Sequence, residues 1–127
     1  MKKVIVLFVV FASVASLVYA GNSPASTKVS YERIEATLLH GLKSANKGLS
    51  ISSSQILGSI KSSKAVIPLM HILRESEVEA SRIAAALSLY KIGDSRGINA
   101  LRQSAKFDSS ERVRNMCANF YNEFKSN

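Results

Sequence analysis

The stretch that decides the fold is SEVEASRIAAALSLYKIGDSRGINAL, residues 76–101. Its first half is rich in alanine and leucine, which are strong helix formers, and its opening SEVE is a capping-box pattern. Gly93 is placed to end this helix, and Asp94 or Ser95 can cap the next one. The stretch therefore predicts a helix, a short turn and the beginning of another helix.

This helix recurs in altered form 32 residues earlier and 32 residues later. The inward positions of the three copies align as Leu49, Ser81 and Val113; Ser53, Ala85 and Cys117; Ile56, Ser88 and Phe120; Leu57, Leu89 and Tyr121; and Ile60, Ile92 and Phe124. A fixed period with short turns is typical of a helical solenoid, in which about three helix pairs are the minimum for a stable stack. Because no segment alternates with period two, we predict an all-α solenoid without a sheet.

Turn and capping residues divide the chain into six predicted helices. The first helix is predicted to begin at Tyr31, after a cap at Ser30, and to stop at Gly48; the second covers Leu49–Lys61 and the third Lys64–Arg74. The fourth is capped by Ser76 and ends at Ile92. The fifth is capped by Asp94 or Ser95, and the sixth is capped by Asp108 and ends near Lys125. The second is the weakest by composition because it is rich in serine.

The first twenty residues have the pattern of an export signal. Lys2 and Lys3 precede an uncharged run, Val4 to Leu17, and Val18-Tyr19-Ala20 fits the small-residue rule for cleavage. The run is shorter than the ~20 residues of a membrane helix, so we expect cleavage; the alternative is an uncleaved N-terminal anchor. We predict a signal peptide over 1–20, a flexible linker over 21–30 and one domain over 31–127. The mature protein would be periplasmic or secreted, without a membrane span.

The chain is basic, with 17 Lys and Arg against 9 Asp and Glu and a formal charge of +8. Loss of Lys2 and Lys3 with the signal leaves 15 against 9, or +6. Such a surplus favours anionic surfaces such as membrane headgroups, acidic glycans or acidic proteins; a charge that only aids solubility is the alternative. Nucleic acid is the usual partner of a basic domain, but we do not expect it for an exported chain.

Residues that could carry chemistry are sparse. Cys117 is the only cysteine, which excludes an internal disulfide, and its repeat position predicts a small core residue rather than a reactive thiol. No Cys/His/Asp/Glu cluster supplies further metal ligands to His40 and His71, so we interpret them as surface residues. No phosphate loop, nucleophile elbow or metalloprotease motif occurs. We therefore predict no enzyme activity, no metal and no cofactor.

In each predicted helix pair, the second helix (the second, fourth and sixth of the chain) contains parts of one pattern. The pattern is a Val-Arg element, spaced alanines, a leucine and an Ile-Gly-Asp ending. These residues are Val113-Arg114 and Arg82, then Ala85, then Leu89 and Ile92-Gly93-Asp94. The pattern resembles the bacterial HEAT-like repeats, the class also named after phycobilisome lyases, over roughly Ile34–Phe124. The resemblance implies a short right-handed α-solenoid of about three helix pairs. It also implies a structural ladder within and between repeats, made by Arg82, Arg114, Asp94 and Asp108; direct ligand contact by the arginines is the alternative.

In such repeats the second helices line the concave side, so the resemblance implies where a ligand would bind. At about 100° per residue, the positions opposite the core stripe are Ile51, Gln55 and Gly58; Ile83, Leu87, Tyr90 and Lys91; and Asn115, Asn119, Asn122 and Glu123. Large apolar groups flanked by amides are typical of a protein or peptide site, with Tyr90 as the preferred contact. The alternative is that Ile83 and Leu87 are ordinary core.

Three functions are compatible with this pattern. The leading hypothesis is an exported, non-catalytic adaptor that binds a protein or peptide through its concave face. The alternative is electrostatic association with an anionic envelope surface or polymer. An enzymatic role, by analogy with bilin lyases or HEAT-like DNA glycosylases, rests on fold alone, and the predicted export and the missing motifs argue against it.

Overall fold

The computed structural model describes residues 24–127, with side chains from residue 28 onward. The helices in this range are α1 (Pro24–Gly41), α2 (Lys47–Ser59), α3 (Val66–Glu75), α4 (Glu79–Ile92), α5 (Ser95–Phe107) and α6 (Glu111–Ser126), and a 3₁₀ turn, Ser63–Ala65, precedes α3. The described residues contain no strand, so the all-α prediction is confirmed. No helix among them is both long and apolar enough to cross a membrane. The predicted signal peptide, and the part of the linker before Pro24, lie outside the described residues.

The first helix begins earlier than predicted. It starts at Pro24 rather than at Tyr31, so residues 24–30, assigned to a linker from the sequence, are helical. Proline suits the first turn of a helix, where its missing N–H has no intrahelical partner to lose. Residues 24–34 belong to a unit separate from the compact unit formed by residues 35–127.

The first helix also ends earlier than predicted, at Gly41 rather than at Gly48. The Asn46 side chain accepts a hydrogen bond from the Leu49 N–H at 3.2 Å and thereby caps α2. Gly48 consequently lies in the first turn of α2. The asparagine is the signal that the glycine-based prediction overlooked.

The helices α4 and α6 each begin two residues later than predicted. The N-cap of α4 is Val78 rather than Ser76, whose backbone carbonyl accepts a hydrogen bond from Arg82 Nη1 at 2.7 Å. In α6 the N-cap is Ser110 rather than Asp108. The bond from Arg82 therefore keeps Ser76 in the turn before α4. The capping-box pattern predicts the caps of both helices two residues too early.

Two equivalent residues adopt left-handed backbone conformations after α2 and α4. Gly93, with φ of 74°, ends α4 as predicted. Lys61, 32 residues earlier, has φ of 52°. This conformation costs a residue with a side chain about 1 kcal/mol, which glycine avoids. The first repeat thus keeps the geometry of the turn without the residue that suits it best.

The centre of the compact unit is α4, which contacts α2, α3, α5 and α6. Its residues are small or apolar on nearly every side, and a helix of that composition is normally buried. The buried apolar side chains of the unit are Leu42, Leu57, Ala65, Val66, Leu69, Leu73, Ala84, Ala85, Ala86, Leu89, Ile98, Ala100, Leu101, Val113 and Cys117. The stretch that decides the fold therefore supplies its central element.

The second helices α2, α4 and α6 pack side by side through two different seams. Between α2 and α4, a Cβ placed on Gly58 would lie 2.7 Å from both Cα and Cβ of Ser88, and Ser88 Oγ donates to the Ser54 carbonyl at 2.7 Å. Between α4 and α6, the rings of Tyr90 and Phe120 stack with centroids 5.4 Å apart. The pairs Gly58–Ser88 and Tyr90–Phe120 are equivalent at a spacing of 32. Small groups line the first seam and aromatic rings the second.

The buried side of α2 differs from the predicted one. Leu49 and Ile56, predicted to face inward, are 52% and 45% exposed. Ser50 and Ser54 are buried instead, and their hydroxyls donate to the carbonyls of Leu42 and Ser50, both at 2.9 Å. Small hydroxyl side chains allow α2 to approach α4 closely, and their hydrogen bonds remove the penalty of burying them.

A buried carboxylate ties the end of α1 to the 3₁₀ turn. Glu35 is 7% exposed; Ser62 Oγ donates to its Oε1 at 2.6 Å and Lys64 Nζ donates to its Oε2 at 2.9 Å. These two hydrogen bonds, that of Ser62 first, hold the pKa of Glu35 below its ordinary value. The apolar stripe of α1 gives no indication of this cluster.

We expect Glu35→Gln to lower the free energy of unfolding by about 1 kcal/mol near neutral pH. The pKa of Glu35 is lower in the folded than in the unfolded chain, so its stabilisation is complete above the unfolded value of about 4.3 and is lost as pH falls through the folded value. The difference between wild type and variant should therefore shrink below about pH 4. Urea titrations from pH 7 to pH 3 would measure this difference in the free energy of unfolding, with Glu77→Gln, at an exposed position, as the control. A difference that grows towards low pH would contradict the prediction.

Candidate functional site

A small apolar patch on α4 is bordered by amide side chains of α2 and α6. Ile83 and Leu87 lie one turn apart on α4, and both are half-buried. Gln55 on α2 and Asn115 and Asn119 on α6 are exposed and occupy equivalent positions 32 residues away. We call these five residues the amide-bordered patch. Its residues are spread over the three second helices α2, α4 and α6.

The two apolar residues of the patch differ in their roles. Ile83 packs against the core, whereas Leu87 is half-buried at the surface of α4. The surrounding amides each offer both hydrogen-bond donors and an acceptor. The arrangement can hold one apolar side chain against Leu87 while the amides bind backbone groups of the same ligand. The core interpretation therefore fits Ile83 and the contact interpretation fits Leu87.

Tyr90, the preferred contact from the sequence, lies in the seam between α4 and α6. Its ring stacks on Phe120 at an interplanar angle of 17° and is half-buried. Its hydroxyl is hydrogen-bonded to Glu123, and this bond to a carboxylate, with burial, raises the pKa of Tyr90. Tyr90 therefore sets the spacing of two helices. Asn122, at the equivalent position of α6, is exposed.

A groove of about 580 Å³ lies where α2, α4 and α6 end. Tyr90 and Lys91 line it with Lys61 and Phe124, and Phe124 is 40% exposed although its repeat position predicts burial. Lys91 Nζ donates to Ser59 Oγ at 3.4 Å and so bridges α4 to α2. Lys91 consequently borders this groove rather than the amide-bordered patch.

Sequence reasoning missed Lys61 and Phe124 as groove residues, although the repeat contains signals for both. Phe124 is equivalent to Ile60 and Ile92, each of which is followed by a turn and a further helix. Phe124 instead lies near the end of α6, the last of the described helices, and is 40% exposed. Lys61 is equivalent to Gly93, and this match could have placed it at the helix end.

Arg82 and Asp108 form a buried ion pair that links two repeats. Arg82 Nε and Nη2 donate to the two carboxylate oxygens of Asp108, both at 3.1 Å, and the side chains are 10% and 7% exposed. Arg114 does not meet this carboxylate; its Nη1 donates to the Asp108 carbonyl at 2.7 Å. The carboxylate thus pairs with the arginine of the preceding repeat.

Asp94 lies apart from these interactions. It caps α5 by accepting from the Arg96 N–H at 2.9 Å and pairs with the Arg96 guanidinium at 3.0 Å on the same helix. A different acid adds to the contact between repeats, because Glu79 Oε2 accepts from Ser110 Oγ at 2.7 Å. The structure brings Arg82, Arg114 and Asp108 together and places Asp94 elsewhere.

Cys117 is a core residue, as predicted. It is fully buried, and desolvation raises the pKa of its thiol to about 12. The thiol is therefore protonated at neutral pH and poorly nucleophilic. His40 and His71 are exposed, and the part of the chain that the structure describes has no cluster of three metal-binding side chains.

Comparison with known families supports the repeat architecture. A family model described as HEAT repeats matches residues 35–119, which cover most of the compact unit. Comparison with curated proteins finds no match.

Proposed function

The chain belongs to the HEAT-repeat family, and we propose that it is an exported, non-catalytic scaffold that binds a protein or peptide through the amide-bordered patch. HEAT repeats are commonly protein-interaction scaffolds. The observation that carries the proposal is the half-buried Leu87 on α4, with exposed amides at the equivalent positions of α2 and α6. An apolar centre within a polar border is the usual anatomy of a protein interface.

The exposed amide side chains of the patch favour a peptide as its ligand. Gln55, Asn115 and Asn119 are exposed amides that can pair with the unsatisfied N–H and C=O groups of an extended or helical segment. Leu87 supplies the apolar contact that such bonds lack. Because the three helices carrying these groups are packed on one core, the ligand would meet a largely preformed surface.

We expect photo-cross-linking to locate the partner on this surface. A photoreactive residue at Gln55 or Asn119, in the full chain expressed in its native cells, should give the same cross-linked partner. One at exposed Gln103 on α5 should not, because that helix is outside the patch. Leu87→Ser should reduce the cross-link about tenfold, the effect of losing one apolar contact.

The matched control is Phe107→Ser, which removes a side chain that is 77% exposed on α5. Equal cross-linking from Gln55 and Gln103, or full retention in folded Leu87→Ser, would contradict the patch. Fractionation and N-terminal sequencing of the mature protein would test export, and a mature chain beginning at Gly21 is expected.

Electrostatic association with an anionic surface is the second candidate, and one observation favours it. Several acids are paired within the chain, such as Asp108 with Arg82 and Glu35 with Lys64, while the chain without Lys2 and Lys3 has 15 basic residues against 9 acidic ones, a surplus of +6. Binding of this kind should fall steeply between 50 and 300 mM salt and should tolerate Leu87→Ser. Binding through the patch should show the opposite pattern.

A further inference from the structure

A small polar cavity lies where the turn between α1 and α2 meets the end of α3 and the beginning of α4. Its volume of about 210 Å³ is several times the roughly 30 Å³ of one water molecule, and it is smaller than the sites of drug-sized ligands. Its lining includes Ser81 of α4, and we call it the Ser81 cavity. The cavity has room for a small ion or for one polar group of a larger ligand.

One residue of the lining has a buried hydroxyl group without a hydrogen-bond partner. Ser81 is 3% exposed, and within residues 28–127 its Oγ is the one buried side-chain N or O atom that lacks a partner. Buried hydroxyl groups are nearly always hydrogen-bonded, because an unpaired one has lost its water without compensation. Since Ser81 lines the cavity, a group bound there can supply the missing bond.

The repeat shows that packing does not require a serine at this position. Ser81 is equivalent to Val113 of α6, which is fully buried. An apolar side chain therefore suits this place in the repeat and leaves no polar group unpaired. A contact made by its hydroxyl explains Ser81 better than its packing does.

The charges around the cavity favour an anion. Lys43 and Lys47 both line it, and Glu75 is the only acid among the described residues that do so. Lys47 is also the first residue of α2, where the helix contributes a partial positive charge. Neither lysine forms an ion pair within the described part of the chain. Two ammonium groups thus remain available to a ligand.

Hydrogen bonds fix the turn that carries the first of these lysines. Ser50 Oγ donates to the Leu42 carbonyl at 2.9 Å, which ties the turn to α2. Ser44 Oγ accepts from the Asn46 N–H at 3.1 Å within the turn. The backbone of Lys43 is therefore already in place, so less ordering is needed when a ligand binds.

An apolar groove of about 440 Å³ adjoins the cavity. The two share Leu42, Lys43, His71 and Ile72, and Ile67 and Pro68 extend the groove along α3. Ile67 is 56% exposed. A ligand whose anionic group occupies the cavity can therefore lay an apolar group along α3.

We propose that the Ser81 cavity binds a phosphate-type oxyanion, either the free ion or the phosphate group of an apolar ester. The oxygens of the anion accept hydrogen bonds from Ser81 Oγ and from the ammonium groups of Lys43 and Lys47. A phosphate has more acceptor oxygens than a carboxylate and can satisfy all three donors. The site shares no residue with the amide-bordered patch and does not depend on it.

The test titrates the full, isotope-labelled chain with sodium phosphate at constant ionic strength and follows its amide chemical shifts. Saturable changes are expected in residues 43–47 and 76–81 but not at exposed Gln103 on α5. Ser81→Ala should raise the dissociation constant at least about tenfold, the effect of losing one hydrogen bond to a charged group. Its urea midpoint without phosphate should not fall, whereas a purely structural hydroxyl would lower it.

The controls are Ser52→Ala and Lys106→Gln, at exposed positions outside the cavity, which should bind phosphate as the wild type does. Lys43→Gln should weaken binding. Hexyl phosphate separates the two sources: tighter binding than that of inorganic phosphate, lost in Ile67→Ser, supports an ester, and equal binding supports the free ion.

Three results would overturn the proposal. The first is a shift change that does not saturate, which would leave water as the occupant of the cavity. The second is an unchanged dissociation constant in Ser81→Ala. The third is equal weakening by Lys43→Gln and Lys106→Gln, which would show a general effect of charge rather than a site.

Discussion

Arg82→Ala is expected to lower the free energy of unfolding by about 3–5 kcal/mol, because it leaves the Asp108 carboxylate buried without its counter-ion. The variant also loses the bond from Arg82 Nη1 to the Ser76 carbonyl, which holds the turn before α4. A domain of this size has a total stability of about 5–15 kcal/mol. In urea denaturation, the midpoint of unfolding should therefore fall to a much lower urea concentration.

The control for Arg82 is Arg96→Ala, which breaks the ion pair with Asp94. That pair is exposed, with the arginine side chain 55% accessible, so its loss should change stability little. The double variant Arg82→Met with Asp108→Leu should be more stable than Arg82→Ala, because it removes both charges together. Equal losses for Arg82→Ala and Arg96→Ala would show that the buried pair has no special importance.

Gly58→Val is expected to lower the free energy of unfolding by about 3 kcal/mol, because it forces apart the seam between α2 and α4. Even a Cβ at Gly58 would lie 2.7 Å from the Ser88 Cα, a backbone atom that cannot move without its helix. The bond from Ser88 Oγ to the Ser54 carbonyl would lengthen as well. Thermal and urea unfolding should both report the loss.

Gly48→Ala is the control, because it lies in the same helix and its added Cβ would meet only Asn46 Oδ1, at 3.3 Å, a capping oxygen that needs to move by only a few tenths of an ångström. Helix propensity favours alanine at both glycines. If Gly58→Val and Gly48→Ala were equally stable, the close approach of α2 and α4 would not limit this fold.

The period of 32 predicts the fold because it depends on features that are local in sequence. Leu57, Leu89 and the Ile92-Gly93 ending repeat the core stripe and the turn, and the structure keeps both. Which side chains form ion pairs between repeats was less predictable from the sequence. Asp108 precedes Arg114 in the chain but pairs with Arg82, because the packing of the repeats brings that guanidinium to the carboxylate.

Helical geometry grouped Leu87, Asn119, Tyr90 and Lys91 on one surface, whereas in the structure Tyr90 stacks on Phe120 and Lys91 bonds to Ser59. Angular position on one helix does not reveal how near its neighbours lie. Tyr90 reaches Phe120 because α6 is close enough to stack with it, and Lys91 reaches Ser59 for the same reason on the other side.

The difference between the two seams means that the repeats are not interchangeable modules. A chain engineered to duplicate residues 63–94 would keep the period but place Tyr90 against a second Ser88, a combination that neither seam contains. The two natural pairings, glycine with serine and tyrosine with phenylalanine, each match one spacing between helices. The contacts at the two seams therefore determine which repeat can follow which. Lengthening the stack requires a redesigned contact between repeats as well as a copied repeat.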